Sequence, residues 1–301
     1  MIKMMNGLTA TPEDNKLFNE LTQSVFGIDF AAWQARKVWG EEYECYSIVE
    51  GGVMLANASV MKMQLLIGGV KRLYLQLGAV AVRKEYRGSG LSRQVLEHIL
   101  AKYEDTPMLL FANKGVTGFY PKFGFRQTTH SEPWLDLTDQ TVRMSSTKTL
   151  VAISESEQEA SPVLQKLELN DPKVDLCLRQ RAAYSAIFDC AAPYSVNWFH
   201  LIYEHAEELY YVPEQDAMLV AEQEGDHLIL HDVIAPRRFS LSKLLPGLRH
   251  QFPEVERIQF GFNPEWMGVN CRWETPEHDP FFVRGEFLVQ GAFIFPHLLV
   301  T

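Results

Sequence analysis

The chain has few cysteines, and their spacing argues against a structural zinc site and against a disulfide framework. Its 301 residues include four cysteines, Cys45, Cys177, Cys190 and Cys271. None has the Cys-x-x-Cys spacing of a structural zinc site, and they form no pattern typical of a disulfide framework. We therefore expect reduced, mostly buried thiols in a cytoplasmic protein.

Long apolar runs are also missing. The longest, such as residues 77–82 and 108–112, have the length of a strand and fall far short of the ~20 residues of a membrane span. The first residues carry one lysine, have no apolar core of the length of a secretory signal and become polar by Thr9. We expect a soluble chain that is not exported and has no membrane partner.

Positive charge is in deficit. Lys and Arg number 28 against 38 Asp and Glu, so the net charge is −10. This charge disfavours electrostatic binding to a phosphate backbone, so nucleic acid is not an expected partner. With 47% hydrophobic and 22% charged residues, the chain is neither disordered nor fibrous. Its length predicts about two domains of ~150 residues each.

The first half is predicted to be one α/β unit, complete by about residue 130. Thr11 before Pro12 marks a helix start. Further helical spacing covers about residues 30–38. Strand-like runs follow on both sides of Gly51-Gly52, a hairpin signal. A long strand, a helix over 91–102 and a strand over 108–112 complete the unit.

The second half repeats this theme after a polar stretch from about residue 136 to 161. We place the boundary near 150, with domains 1–150 and 151–301. A helix-rich stretch is expected to about residue 205, then strands over 217–223 and 227–235, a helix over 240–252 and a strand over 257–262. The separation of 22 residues between Leu91 and Asn113 recurs between Leu241 and Asn263, which favours two copies of one supersecondary unit.

The segment Arg87-Gly88-Ser89-Gly90-Leu91-Ser92 carries the clearest chemical signal. Two glycines let amide N–H groups point into one concavity, and the following helix adds its positive dipole end. Such a loop suits a pyrophosphate, although an ordinary tight turn has the same pattern. Arg93 stands where a Rossmann loop needs its third glycine, and no Gly-Lys-Ser/Thr sequence indicates a P-loop.

Together with its context, this loop resembles the GNAT superfamily of acyl-CoA-dependent N-acetyltransferases over roughly residues 10–130. The context is a preceding strand, a later strand ending in Asn113, and the sequence GFYPKFGF from Gly118 to Phe125. Arg87 and Gly90 match the family signature [QR]-x-x-G-x-[GA], whereas Ser92 replaces its last small residue. The resemblance implies a mixed, mostly antiparallel sheet flanked by helices, with a second, degenerate GNAT-like domain.

The resemblance also implies a set of site residues, with acetyl-CoA as co-substrate and no metal. Pantetheine would pair with the strand edge, and the N–H of Ala81 or Val82 would stabilise the oxyanion. Tyr120 would protonate the departing thiolate, and Asn113 would hydrogen-bond the coenzyme or a water; a core aromatic and a turn cap are their competing roles. The expected coenzyme contacts are Val80, Ala81, Val82, Arg87, Gly88, Ser89, Gly90, Leu91, Ser92, Asn113 and Tyr120.

The general base is left open. Tyr74, Gln76 and Gly78 occupy the strand where some members of the family have a glutamate. Glu41, Glu42 and Glu44 are candidates, although such a group is typical of a solvated turn, and a water relay is an alternative. In some tandem members of the superfamily the C-terminal carboxylate enters the catalytic centre; for the tail ending at Thr301, a final core strand is the favoured interpretation.

The second half lacks the loop. Residues 235–242 read APRRFSLS, with no glycine and with Pro236, which has no N–H to donate. We expect no second coenzyme site there, and a role either in walling off the acceptor pocket or in packing alone. His227 and His231 lie four apart on a predicted strand without a third ligand of suitable spacing, so they are interpreted as satisfied polar residues and not as a metal site.

The sequence thus predicts an enzyme that transfers acetyl from acetyl-CoA to a primary amine by direct attack. The acceptor is a small molecule or a peptide that the sequence does not identify, and the oligomeric state is equally open. The alternative is a non-catalytic acyl-CoA-binding or sensing module. Tyr120 with Asn113 favours the enzyme, whereas the missing base and Ser92 favour the alternative.

Overall fold

The computed structural model describes residues 1–137, 164–275 and 280–301. These contain helices α1 (Pro12–Phe26), α2 (Ala31–Ala35), α3 (Leu91–Lys102), α4 (Pro172–Gln180), α5 (Tyr194–Tyr203) and α6 (Leu245–Gln251). The strands up to residue 137 are β1 (Ile2–Met5), β2 (Tyr43–Glu50), β3 (Val53–Ile67), β4 (Val70–Val82), β5 (Met108–Phe111), β6 (Arg126–Thr128) and β7 (Glu132–Asp136). Those after residue 163 are β8 (Gln165–Lys166), β9 (Phe188–Ala191), β10 (Leu209–Val212), β11 (Ala217–Glu224), β12 (His227–Ile234), β13 (Arg257–Phe260), β14 (Arg272–Glu274) and β15 (Phe281–Arg284).

The strands form two mixed sheets that are mostly antiparallel. The first has the order β1-β2-β3-β4-β5-β15-β6, and β9 pairs with β3 beyond the end of β2. The second has the order β14-β7-β13-β12-β11-β10-β8. The expected fold class, an α/β protein with two sheets of this kind, is confirmed.

Each sheet contains the same unit, a strand that crosses over through a helix to a parallel neighbour. In the first sheet β4 connects through α3 to β5, and in the second β12 connects through α6 to β13. The two halves of the chain also exchange strands. β15 pairs with β5 and β6 in the first sheet, whereas β7 pairs with β13 and β14 in the second.

Local sequence determines where the first helix starts and stops. The Thr11 hydroxyl accepts a hydrogen bond from the Asp14 amide, and the Asp14 carboxylate accepts one from the Thr11 amide, which is a capping box. Gly27, at φ +75°, ends α1 in the left-handed conformation that glycine tolerates.

Aromatic side chains join α2 to α5 and so connect the two halves. Phe30 and Trp33 contact Phe199, with ring centroids 5.3 and 6.1 Å apart. The Trp33 indole also donates a hydrogen bond of 2.9 Å to the carbonyl oxygen of Ser195. Because these contacts are buried, they hold α5 over the first sheet.

Several local predictions need correction. The helix expected over 240–252 is a short 3-10 turn followed by α6, with Pro246 in its first turn. The favoured final core strand is wrong: residues 285–301 contain only a 3-10 turn at His297–Leu299, and Thr301 lies against β4. The boundary predicted near residue 150 falls outside the described residues and stays a prediction.

Two further expectations can be compared with the structure. All four cysteines are free, and Cys45, Cys177 and Cys190 are buried. Across residues 1–137, 164–275 and 280–301, every helix is too short or too polar to cross a bilayer.

Candidate active site

The site is centred on an irregularity in β4. Gly78 pairs with Ser59 and Ala81 with Asn57, so β4 contains one more residue than β3 at this point. Ala79 adopts φ +46°, a left-handed conformation that costs an alanine about 1–2 kcal/mol. The fully buried Asn57 side chain donates to the Ala79 carbonyl oxygen at 3.0 Å and thereby holds the bulge. Bulges of this kind redirect a strand edge next to active sites.

Beyond the bulge, β4 and β5 separate. They pair only at Leu75 with Met108 and at Gln76 with Leu109. The later residues of the two strands therefore face each other across a cleft of about 610 Å³. The cleft is lined by Val25, Phe26, Leu77, Gly78, Ala79, Val80, Val82, Arg87, Ser92, Phe111, Asn113, Val116, Phe119, Tyr120 and Thr301.

The loop between β4 and α3 is open at the amide groups next to the helix, whereas the Arg87 and Ser89 amides donate to the Lys84 and Tyr86 carbonyl oxygens. Gly88 and Gly90 have φ values of +82° and +84°, which favour glycine, and Gly90 caps α3 without a side-chain hydrogen bond from the described residues. The first bond into the helix runs from the Gln94 amide to the Gly90 carbonyl oxygen at 3.1 Å. The three preceding amides therefore have no partner within the helix, and they meet the positive end of its dipole. An anion of pyrophosphate size fits this chemistry.

Tyr120 lies at the other side of the cleft, in an aromatic group with Phe119, Phe125 and Phe282. Its side chain is buried, and burial raises its pKa to about 12. The phenol is thus protonated throughout the neutral range. Against a thiol of pKa ~8.5, complete proton transfer from Tyr120 is uphill by about 5 kcal/mol, more than the ~2 kcal/mol that an unperturbed tyrosine would cost.

Asn113 is available for a ligand. It lies just after β5, and its carbonyl oxygen accepts a hydrogen bond from the Val116 amide, but its side chain does not cap the turn that follows, as far as the described residues show. The equivalent Asn263 in the second half is buried, and its amide donates to the carbonyl oxygens of Phe188 and Ile294. The same residue type at the same spacing therefore has a structural role in one half and faces a cleft in the other.

The last residues of the chain reach into the cleft. The buried Gln76 side chain donates to the Leu299 carbonyl oxygen at 2.6 Å and accepts from the Thr301 amide at 3.0 Å. His200 of α5 lies 2.7 Å from the Val300 carbonyl oxygen through Nε2. A Cβ placed on Gly78 would lie 2.9 Å from the carbonyl carbon and an oxygen of Thr301. Only glycine leaves room here, so Gly78 and Thr301 form one feature of the site.

A second, smaller pocket of about 140 Å³ shares Phe26, Ala79 and Thr301 with the cleft. Its walls come from both halves of the chain and are almost entirely apolar. The remaining lining residues are Ile28, Phe30, Trp33, Tyr43, Met61, Val196 and Phe199. Thr301 therefore stands where a polar cleft meets an apolar pocket.

The acidic residues before β2 do not join this site. Glu44 is buried, forms ion pairs with Lys62 and Lys102, and accepts a hydrogen bond from Tyr103 at 2.6 Å. Burial opposes its ionisation, but these hydrogen bonds prevail and lower its pKa to about 2. Glu41 and Glu42 line a different cleft, with Lys62 and Ser195. The interpretation of Glu44 as part of a solvated turn is wrong, and none of the three lines the cleft between β4 and β5.

The cleft brings together Val80, Val82, Arg87, Ser92, Asn113 and Tyr120 from the expected set. Ala81, Gly88, Ser89, Gly90 and Leu91 belong to the same strand and loop but do not line it. Asn57, Gly78 and Ala79 were missed by sequence reasoning. A buried polar residue inside the apolar run of β3 is the only signal that could have indicated Asn57, since Gly78 and Ala79 depend on the bulge and on Thr301.

The corresponding turn of the second half is closed. The Ser240 hydroxyl accepts a hydrogen bond from the Ser242 amide at 3.4 Å and so caps its own turn. The Gly90 turn of the first half has no such side-chain cap.

Comparison with known proteins identifies a domain in the first half. Residues 9–128 match the family model of the acetyltransferase (GNAT) domain. Solved structures with the same fold include Eis1 from Mycobacterium abscessus, with 14% identity, a TM-score of 0.57, and 94% of this chain and 73% of that one covered. Two GCN5-related N-acetyltransferases are similar. The Anabaena variabilis protein has 15% identity and a TM-score of 0.55, covering 94% and 72%; the Kribbella flavida protein has 13% and 0.53, covering 94% and 70%.

The chain folds as two GNAT-like parts, and its first half contains an acetyltransferase (GNAT) domain at residues 9–128. No curated protein matches its sequence. The match to this domain supports N-acyltransferase activity in general.

Proposed function

We propose that the protein transfers the acetyl group of acetyl-CoA to a primary amine by direct attack. The observation that carries this proposal is the junction at Thr301, where the coenzyme cleft and the apolar pocket share Ala79 and Phe26. A thioester held along β4 and an amine in the pocket would meet at this junction. Bringing two reactants together in this way supplies much of the rate enhancement of a two-substrate enzyme.

The coenzyme is held mainly by the main chain in this proposal. Its pyrophosphate lies on the amides between Arg87 and Ser92, and pantetheine pairs with the free edge of β4 at residues 80–82. The N–H of Ala81 or Val82 donates to the thioester oxygen as it gains charge. Asn113 hydrogen-bonds the coenzyme or a water at the end of β5.

The reaction proceeds through a tetrahedral intermediate. The amine nitrogen forms a bond to the carbonyl carbon, the C–S bond then breaks, and Tyr120 donates a hydrogen bond or its proton to the departing thiolate. The nitrogen loses one proton. An amine of pKa ~10.4 costs about 4.6 kcal/mol to hold neutral at pH 7, so a proton acceptor is needed at the junction.

A water relay at the junction removes that proton. Thr301 lies there beside Gly78, with its amide held by Gln76 and the preceding carbonyl oxygen in contact with His200. The acidity of the attacking nitrogen rises as the new bond forms, so water at this point can pass its proton to bulk solvent. Glu41, Glu42 and Glu44 lie elsewhere.

The walls of the pocket favour an acceptor amine that carries an aromatic or aliphatic group. Phe30, Trp33 and Phe199 line the pocket and can pack against such a group, whereas a polycation would leave charges unpaired against apolar walls. Charge on the amine itself faces Thr301. A small molecule or a peptide end could both present this combination.

Release of the coenzyme thiol from acetyl-CoA, measured over a panel of amines, tests the proposal. The panel contains matched primary amines with aromatic, aliphatic and polycationic groups. We expect turnover with the first two, and retained coenzyme affinity with slower turnover in Tyr120→Phe. A protein that binds acetyl-CoA but acetylates no member of the panel would favour the non-catalytic, acyl-CoA-sensing alternative.

A further inference from the structure

Three metal-ligating side chains, those of His205, Glu222 and His231, converge in the second half, away from the coenzyme cleft, with their ligand atoms within 4.8 Å of one another. His205 follows α5, Glu208 precedes β10, Glu222 lies on β11 and His231 on β12. The rings of His205 and His231 have centroids 4.1 Å apart. His231 Nε2 lies 3.5 Å from a Glu222 carboxylate oxygen, and His205 Nδ1 lies 3.8 Å from one of Glu208.

A β-bulge places His231 in this group. Val220 pairs with Asp232 and Ala221 with Leu230, so His231 is the extra residue on β12. His227, four residues earlier on the same strand, packs instead against Trp134. The two histidines that sequence spacing placed together therefore have different surroundings.

Three polar atoms in this cluster are buried without a hydrogen-bond partner among the described residues. They are His205 Nδ1, Glu208 Oε2 and His231 Nε2. His205 is 7% exposed and His231 8% exposed, so water gives them little compensation. An unpaired buried polar atom is destabilising, and because the ligand atoms of His205, Glu222 and His231 lie within 4.8 Å of one another, they can share one partner. The expectation that His231 is a satisfied polar residue therefore holds at Nδ1, which lies 3.0 Å from His297 Nδ1, but not at Nε2.

The donor set suits a cation. Two imidazole nitrogens beside a carboxylate oxygen are the ligand types that zinc prefers in proteins.

We propose that His205, Glu222 and His231 bind one zinc ion, with Glu208 beside His205. Zinc bonds to nitrogen and oxygen of about 2.0–2.2 Å place neighbouring tetrahedral ligand atoms about 3.3–3.6 Å apart. The 3.5 Å between His231 Nε2 and the Glu222 oxygen already falls in this range. The half-exposed Glu222 side chain provides the route from solvent. The sequence suggested no metal because these ligands come from three separate segments.

The zinc site lies next to the C-terminal segment. Through its other nitrogen, His231 Nδ1 lies 3.0 Å from His297 Nδ1, and His297 belongs to the turn that leads to Thr301. Groups that hydrogen-bond a metal-bound histidine orient it and strengthen its binding. Zinc therefore stabilises the end of the chain as well as the second sheet.

The test uses the purified full chain after dialysis against a chelator, with zinc chloride alone as the probe. Titration calorimetry and elemental analysis should give one zinc per chain and a higher Tm when zinc is added. We expect Glu222→Gln and the double variant His205→Ala/His231→Ala to lower zinc affinity at least about tenfold. His227→Gln, on the same strand, is the matched control and should bind zinc like the wild type.

Cobalt substitution gives a second readout. Cobalt(II) at this site should show the intense visible bands of tetrahedral coordination, and these should weaken in Glu222→Gln, whose half-exposed side chain makes its folding the least sensitive to substitution. The proposal is overturned if stripped wild-type protein binds no zinc. It is equally overturned if Glu222→Gln, folded by circular dichroism, binds zinc as tightly as His227→Gln does.

Discussion

Replacing Gly78 by alanine should separate catalysis from coenzyme binding. The new Cβ would lie 2.9 Å from two atoms of Thr301 and 3.2 Å from its Oγ1, whereas ordinary contact begins at 3.4 Å. Gly78 is not among the residues with positive φ, so alanine adds no backbone strain. Thr301 must therefore retreat by about 0.5 Å, and since a 1 Å misplacement can cost ~10²-fold, we expect kcat to fall about tenfold.

Steady-state kinetics and calorimetry provide the assay. Acetyl-CoA affinity should stay within about twofold of the wild type. The loop proposed to hold the pyrophosphate begins after the end of β4, several residues beyond Gly78, and keeps its main-chain donors. The matched control is Gly115→Ala, where a Cβ meets open space and φ is not positive. It should leave kcat unchanged.

A double-mutant cycle connects the effect to Thr301. Inserting one glycine between Val300 and Thr301 displaces Thr301 from Gly78, and should lower kcat on its own. Combined with Gly78→Ala, the two losses should be less than additive because both displace the same group. An unchanged kcat in Gly78→Ala, or a loss confined to acetyl-CoA affinity, would refute the role given to this contact.

Two further predictions concern ionisable groups. Tyr120→Phe should lower kcat by about 10²-fold or more with coenzyme affinity kept, and a variant kcat equal to that of the wild type would remove Tyr120 from the mechanism. Because the Tyr120 pKa is about 12, the wild-type rate should show no loss from tyrosine ionisation between pH 7 and 10. Glu44→Gln should lower Tm at pH 7 but not near pH 2. The pKa of Glu44 in the folded protein, about 2, lies below the ordinary 4.5, so the stabilisation by the ionised carboxylate exists above pH 4.5 and is lost as the pH falls toward 2. An equal Tm of variant and wild type at pH 7 would contradict this prediction.

Features determined by neighbouring residues could be predicted from the sequence. Thr11 with Asp14 caps a helix, and Gly88 with Gly90 forms an open turn, because each depends on bonds within a few residues. The strand–helix–strand repeat was found for the same reason. The helix over 240–252 was predicted too long because Pro246 and the Ser240 cap divide it.

Features that depend on distant residues could not be predicted. Thr301 reaches the cleft because the Gln76 side chain hydrogen-bonds the main chain of Leu299 and Thr301, which lie more than 200 residues later in the sequence. The exchange of β7 and β15 between sheets depends on pairing across the whole chain. The zinc ligands meet only after β10, β11 and β12 are aligned and a bulge turns His231 toward His205. Periodicity in one segment carries no information about such register.

The most direct test of the central claim is a calorimetric titration of acetyl-CoA into the wild type and into Gly90→Val. Valine at φ +84° cannot keep the turn that opens the amides before α3. We predict saturable binding of one acetyl-CoA per chain for the wild type and no measurable binding for the variant. No heat from the wild type at millimolar acetyl-CoA, or equal binding by a folded Gly90→Val protein, would contradict the account.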